Sequence, residues 1–157
     1  MHVGLISDTH GLMRPEALQA LRGVAHVLHA GDVGGAHVLE ALRAIAPLTA
    51  VRGNNDDASL GLAERELVEL GGVRIELVHQ ARDVLAAPGT RLVVVGHSHR
   101  PSIEERDGAL WINPGSAGPR RFSLPITIAR IEIARREIVA ARIVTLDVAP
   151  PRSRAHP

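Results

Sequence analysis

The chain has no cysteine, no lysine and no tyrosine, and its only aromatic side chains besides histidine are Trp111 and Phe122. Without cysteine there is no disulfide framework, no thiolate nucleophile and no zinc–thiolate site. Without lysine, all 18 basic residues are arginine. Any cation that holds an anionic ligand must then be an Arg, a protonated His, the amino terminus or a metal ion. Two aromatics cannot build a platform on which successive bases stack. No run approaches the roughly 18 apolar residues of a membrane-spanning helix. The opening Met1-His2-Val3-Gly4-Leu5-Ile6-Ser7-Asp8 lacks the basic segment of a secretory leader, and its apolar run stops at Asp8. These absences lead us to expect a cytoplasmic protein with no membrane partner.

The charge points the same way. The pI is 9.0 although the formal charge is only +1. With no Lys, Tyr or Cys, only the amino terminus titrates between His and Arg, so the high pI reflects missing buffering groups. Residues 1–147 carry 16 Arg and all 17 acids, a net charge of −1. A body of that charge has little to offer a phosphate backbone, and nucleic acid is not an expected partner.

A chain of 157 residues fits one domain. Val3–Ile6, Ala25–Leu28 and Leu48–Val51 read as buried strands. Between them, Pro15 opens a helix that ends by Gly23, and Val38, Leu39, Leu42 and Ile45 recur at helical spacing before Pro47. Alternating strands and helices predict right-handed crossovers and a parallel sheet. The second half is mostly strand. Leu67–Leu70 and Val73–Val78 flank Gly71-Gly72, and Ile103–Arg106 and Ala109–Ile112 flank Asp107-Gly108, both hairpin signals. Leu92–Val95 is a buried run, and Ile126–Ile133 and Ile138–Leu146 alternate about Ala134–Arg136. We expect two sheets face to face, with helices mainly outside the first. The domain should span residues 1–147, and the Pro- and Arg-rich residues 148–157 should be a disordered tail.

What leaves each strand is more specific. The first runs into Asp8-Thr9-His10, the second into Gly31-Asp32, the third into Gly53-Asn54-Asn55-Asp56. Val73–Val78 runs into His79, and Leu92–Val95 into Gly96-His97-Ser98-His99. In open α/β sheets ligands bind at the carboxyl ends of strands. Asp8 and His10, like His97 and His99, are two apart, which in an extended chain points both to one side. Each fragment alone reads as a common turn; five of them at five strand ends do not. Imidazole, carboxylate and one amide oxygen suit Mn, Fe, Co, Ni or Zn better than calcium. Seven ligands are too many for one tetrahedral ion and about right for two ions sharing a carboxylate.

In their order, Asp8-x-His10, Gly31-Asp32, Gly53-Asn54, His79 and Gly96-His97-x-His99 resemble the calcineurin-like metallophosphoesterase signature. Within it, Ser7-Asp8-Thr9-His10-Gly11, Val51-Arg52-Gly53-Asn54 and Ile112-Asn113-Pro114-Gly115-Ser116 are similar to the small single-domain prokaryotic phosphodiesterase branch. The resemblance covers about residues 1–133. It implies an α/β fold, a four-layer α/β/β/α sandwich of two mixed sheets flanked by helices. It also implies two divalent ions, with Mn the first choice ahead of Ni, Co, Fe or Zn. Asp8, His10 and His99 would hold one ion, Asn54, His79 and His97 the other, and Asp32 would bridge them. A hydroxide between the ions would attack a small phosphodiester, and Asp32, Asn54 and His97 would form the catalytic set. A small phosphorylated substrate is the expected partner; self-association is compatible with the sequence.

Three departures from that pattern matter. Asn55 stands where many relatives have a proton-donating His, and an amide is no general acid near neutral pH. Gln80-Ala81 follows His79 where the close branch has Gly-His. About a dozen residues separate His79 from Leu92, near the minimum for a parallel crossover. The helix usual there should shrink to about one turn, Arg82–Leu85, leaving an open groove. His29 should serve packing rather than ligation, His26 and His37 should lie on the surface, and Trp111 should pack. Two competing functions are a non-catalytic interaction module, like the retromer subunit of this fold, and a nuclease. The intact ligand set argues against the first, and the near-neutral body charge against the second.

Overall fold

The structure is a computed structural model that describes residues 1–149; positions 150–157 of the expected tail lie outside the described residues. The first sheet contains β1 (His2–Ile6), β2 (His26–His29), β3 (Leu48–Ala50), β9 (Thr127–Ala134) and β10 (Glu137–Thr145) in the order β10-β9-β1-β2-β3. The second contains β4 (Arg65–Leu70), β5 (Val73–Val78), β6 (Thr90–Val94), β7 (Ser102–Arg106) and β8 (Ala109–Asn113) in the order β4-β5-β6-β8-β7. Both sheets are mixed. β1, β2 and β3 run parallel, and β9 returns antiparallel to β1. β5, β6 and β8 run parallel, and two hairpins add β4 and β7.

The expected elements therefore form, with ends shifted by a residue or two. α1 (Pro15–Ala20) starts at its proline and stops three residues before Gly23. There the Arg130 guanidinium donates to the carbonyls of Ala20 at 2.7 Å and Arg22 at 3.0 Å, satisfying groups that a helix end leaves free. α2 (Ala36–Arg43) buries Val38, Leu39 and Leu42. The β9–β10 turn is tight because Arg135 and Arg136 both adopt positive φ, 54° and 66°, as a two-residue primed turn requires.

Two apolar layers build the core. One lies between the sheets and includes Leu5, Leu28, Ile75, Leu77, Leu92, Val94, Ile112 and Ile131. The other lies between the first sheet and its helices and includes Ile6, Leu21, Val27, Val38, Leu42 and Ile128. Each such side chain, fully buried, contributes about 1.5–3 kcal/mol. Val148 also packs against this second layer, so the chain stays attached past the expected boundary at residue 147.

The outer face of the second sheet is covered differently. Residues 79–89 join β5 to β6 and contain a single short turn, as the crossover length predicts, but it is a 3-10 turn at Ala81–Asp83 rather than a helical one at Arg82–Leu85. Below it a small cluster of Val78, Val93 and Val95 packs against Val84 and Trp111. Trp111 is half-buried and carries the Arg106 guanidinium 4.7 Å from its ring centre, so it serves packing. The loop over this face is pinned by a side chain whose role the sequence hides. Glu76 is fully buried and accepts from the backbone N–H of Leu85 at 2.8 Å and of Ala86 at 2.9 Å. It also pairs with Arg65 Nε at 3.3 Å, and Arg65 in turn donates to the Asp83 carbonyl.

Candidate metal centre

Five strands, three from the first sheet and two from the second, end at one place. Asp8 Oδ1 lies 3.2 Å from His99 Nε2 and 3.7 Å from His10 Nε2. The two imidazole nitrogens are 3.4 Å apart. Beside this triad, Asp32 Oδ2 lies 3.3 Å from His79 Nε2 and 3.7 Å from His10 Nε2. Asp32 thus stands between the two histidines expected to hold different ions. Asp8 also belongs to both groups, since its Oδ1 is 4.0 Å from His79 Nε2. His97 and Asn54 form the outer edge. Both are exposed, and His97 Nδ1 donates to Asn54 Oδ1 at 3.1 Å. The His97 ring stands edge-on to His79, 5.2 Å between centres.

The backbone achieves this convergence by an unexpected route. Asp8, His10, Asp32, His97 and His99 have φ of 54°, 46°, 55°, 71° and 62°. Left-handed conformations are uncommon for side-chain-bearing residues and cluster at functional sites. The extended geometry expected for Asp8–His10 and His97–His99 is therefore not what aligns them: each ligand sits in its own sharp bend. Surrounding bonds hold the bends. Asp8 N–H and His10 N–H donate to the carbonyls of Gly31 and Asp32 at 3.0 and 2.9 Å. Gly53 has no room for a side chain, because a Cβ there would collide with Asp32. Glycine is needed at that point for the close approach of the two loops.

Residues around the ligands fix their orientation. Asn55 donates twice to Asp32, from its backbone N–H to Oδ1 at 2.9 Å and from Nδ2 to Oδ2 at 3.0 Å. Asp56, buried, accepts from the N–H groups of Val33, Gly34 and Gly53 at 3.1, 3.0 and 2.9 Å. It staples the loop after β2 to the loop after β3. Neither role is visible from the sequence, because the partners across the two loops, Asp32, Val33 and Gly34, lie more than 20 residues away. Ser7 Oγ donates to Asp8 Oδ2 at 2.6 Å, and His97 N–H donates to the same oxygen at 3.1 Å. The Asn113–Ser116 loop is structural. Asn113 Nδ2 holds Gly96 O and Ser98 Oγ, each at 3.0 Å, and Ser116 Oγ donates to Asp8 O at 3.0 Å.

His29 supports the site from behind. Its Nδ1 accepts from Gly31 N–H at 3.1 Å, so Nε2 carries the proton and donates to Thr9 Oγ1 at 3.0 Å. Thr9 passes the chain on to Val33 O at 2.8 Å. Burial pushes His29 down to about 4, consistent with a neutral packing role. His26 and His37 lie away from the cluster. They bond Thr49 Oγ1 at 2.8 Å and Gly11 O at 2.6 Å.

The charges reinforce one another. Burial favours neutral Asp8, but the neighbouring imidazoles of His10, His99 and His79 and the Ser7 hydroxyl hold it well below the usual carboxylate range. Asp32 is likewise raised by burial but brought to about 2 by His79 and Asn55. The Asp8 carboxylate pushes His10 up, against burial and the charge of Arg121. Burial pulls His79 down, but Asp32 and the Ala30 carbonyl push it up more. Among the described residues, three buried side-chain polar atoms lack a hydrogen-bond partner: Asp8 Oδ1, His79 Nε2 and His99 Nδ1. The first two face into the cluster, where a divalent cation would satisfy both.

Comparison with known proteins gives a consistent picture. The sequence model of the calcineurin-like phosphoesterase superfamily domain matches residues 1–136. A probable metallophosphoesterase of Methanothermobacter thermautotrophicus is 33% identical over 149 residues, covering 84% of this chain and 87% of that protein. Among solved structures, a novel archaeal phosphodiesterase superposes with a TM-score of 0.79 at 25% identity, covering 93% of this chain and all of that one. The zinc complex of Vps29 from Entamoeba histolytica has a TM-score of 0.73 at 23% identity, over 93% and 98% of the two chains.

Proposed function

Since the chain belongs to the calcineurin-like phosphoesterase superfamily, we propose that it is a cytoplasmic phosphodiesterase that hydrolyses small phosphodiesters at a centre of two divalent ions. The observation that carries this reading is the pair of unpartnered buried atoms, Asp8 Oδ1 and His79 Nε2, 4.0 Å apart. A buried polar group left unpaired costs about 1–3 kcal/mol, and a shared cation removes that cost.

Asp8, His10 and His99 would hold one ion and Asn54, His79 and His97 the other. Asp32 Oδ2, within 3.7 Å of both His10 and His79, would be shared. Such ions supply an activated water and withdraw charge from the phosphoryl oxygens. The protein's own groups do the rest. Asn55 keeps Asp32 ionised and aimed. The exposed Asn54 amide would donate to a phosphoryl oxygen, with His97 beside it. Asn55 is committed to Asp32 and cannot protonate a leaving alcohol, so substrates with good leaving groups should turn over fastest.

The test is hydrolysis of bis-p-nitrophenyl phosphate with Mn, Co, Ni or Zn, using Asp32→Ala and His97→Ala as controls. Activity with at least one metal, lost in both variants, is expected. No activity with any of them, or unchanged activity in both variants, would overturn the reading. Two ions per chain by metal analysis would also separate it from a non-catalytic interaction module, which need not bind any.

A further inference from the structure

Beside the Asn54–His79 end of the centre lies a groove of about 610 Å³. It opens under residues 79–89, which carry one short turn over this face of the sheet. Its polar walls are Arg52, Glu64, Arg65, Gln80, Arg82 and Asp83. The outer wall is held in place through buried Glu76, which grips Leu85 and Ala86, and through Arg65, which grips the Asp83 carbonyl.

The lining chemistry narrows the occupant. The charge of Arg65 is already matched by Glu76 at 3.3 Å. The remaining charged side chains balance, Arg52 and Arg82 against Glu64 and Asp83. A second phosphate would therefore meet as many carboxylates as guanidinium groups. Among the described residues the one ring that lines the groove is the His79 imidazole, which is buried and set against Asp32 at 3.3 Å, so a nucleobase has no open aromatic face to stack on. Only Val84 and Leu85 offer bulky apolar contact, too little for an alkyl chain or aryl group. Glu64, Arg82 and Asp83 are exposed along these walls and Gln80 is half-buried. What remains is an interleaved set of strong acceptors and strong donors. That set complements vicinal hydroxyl groups, each of which both donates and accepts.

Building on the phosphodiesterase reading, we propose that this groove holds the polyhydroxylated alcohol of the substrate, a glycerol or sugar group esterified to the scissile phosphate. Glu64, Arg82 and Asp83 then set specificity. The test uses three diesters with the same p-nitrophenol leaving group and methyl, glycerol or ribose as the other alcohol. With the metal-loaded enzyme, the glycerol or ribose ester should exceed the methyl ester at least tenfold in kcat/KM, mainly through KM. Whichever is preferred identifies the alcohol. The double variant Glu64→Gln with Asp83→Asn, both at exposed positions, should cut the preference below threefold. Equal kcat/KM for the three esters, or a preference that survives the double variant, would overturn the proposal. Calorimetry of glycerol 3-phosphate and ribose 5-phosphate against methyl phosphate provides a readout independent of turnover. If none of the esters is hydrolysed, the phosphodiesterase reading fails. The groove assignment then stands if either hydroxylated phosphate binds at least fivefold tighter than methyl phosphate, and falls if all bind equally.

Discussion

Replacing His29 with asparagine tests whether a neutral imidazole ties the first two site loops together. Burial holds the ring at about 4, against 6.5 for an ordinary histidine. The folded protein therefore takes up this proton less readily than the unfolded chain does. The stability gained from the neutral ring is full above pH 6.5. It falls as the pH drops, and the loss is complete below about pH 4, where both states are protonated. At 1.36 kcal/mol per pH unit, the loss across that window is roughly 3 kcal/mol. Asparagine keeps an acceptor where Nδ1 meets Gly31 N–H, but it does not titrate. At pH 7 the variant should be less stable, by about 1–3 kcal/mol for the lost ring contacts and the lost bond to Thr9. Between pH 7 and pH 4 it should then lose roughly 3 kcal/mol less than the wild type. Urea unfolding in the presence of EDTA, at half-unit pH intervals, measures both curves without metal release. The titrations of Asp8, Asp32, His10 and His79 occur in both proteins and cancel in the difference. Parallel curves would refute the neutral-ring argument.

Asn55→Ala removes one of two hydrogen bonds that orient Asp32. Metal affinity measured by calorimetry should fall about 10–100-fold, with little change in the folded circular-dichroism spectrum. Gly53→Ala drives a methyl group into Asp32; a loss of about 2 kcal/mol or more in urea unfolding is expected, together with weakened metal binding. Glu76→Ala leaves two loop N–H groups and Arg65 without their acceptor. Arg65 is partly solvated, so the expected cost is about 2–4 kcal/mol, and limited proteolysis should cut first within residues 81–89.

The candidate ligands were legible because every apolar run in question stops abruptly at a polar residue. Val3–Ile6 gives way to Ser7-Asp8, and Leu92–Val95 to Gly96-His97. The bends that gather those ligands were not legible, since neither Asp nor His announces a left-handed backbone. The thin cover over the second sheet followed from counting residues between His79 and Leu92. Its anchor did not. In the alternation Val73-Arg74-Ile75-Glu76-Leu77, Glu76 reads as a solvent-facing position, and only the folded-back loop makes it buried. Asn55 was read for the proton it lacks, while its structural role lies in what it grips 23 residues earlier. The helices over the first sheet followed the apolar spacing, whereas the partial burial of Val148 against the core is nothing that composition encodes.

The meeting of His10 with His99 joins points 89 residues apart, one on each sheet. An ion gripped from both sides would act on the chain as a cross-link. By the loop-entropy estimate, a permanent bond closing a circuit of that size would remove about 4–5 kcal/mol of freedom from the unfolded state. A protein with no cysteine would thus gain a fastener of the kind it cannot otherwise make, one that chelation opens and resupply of metal closes.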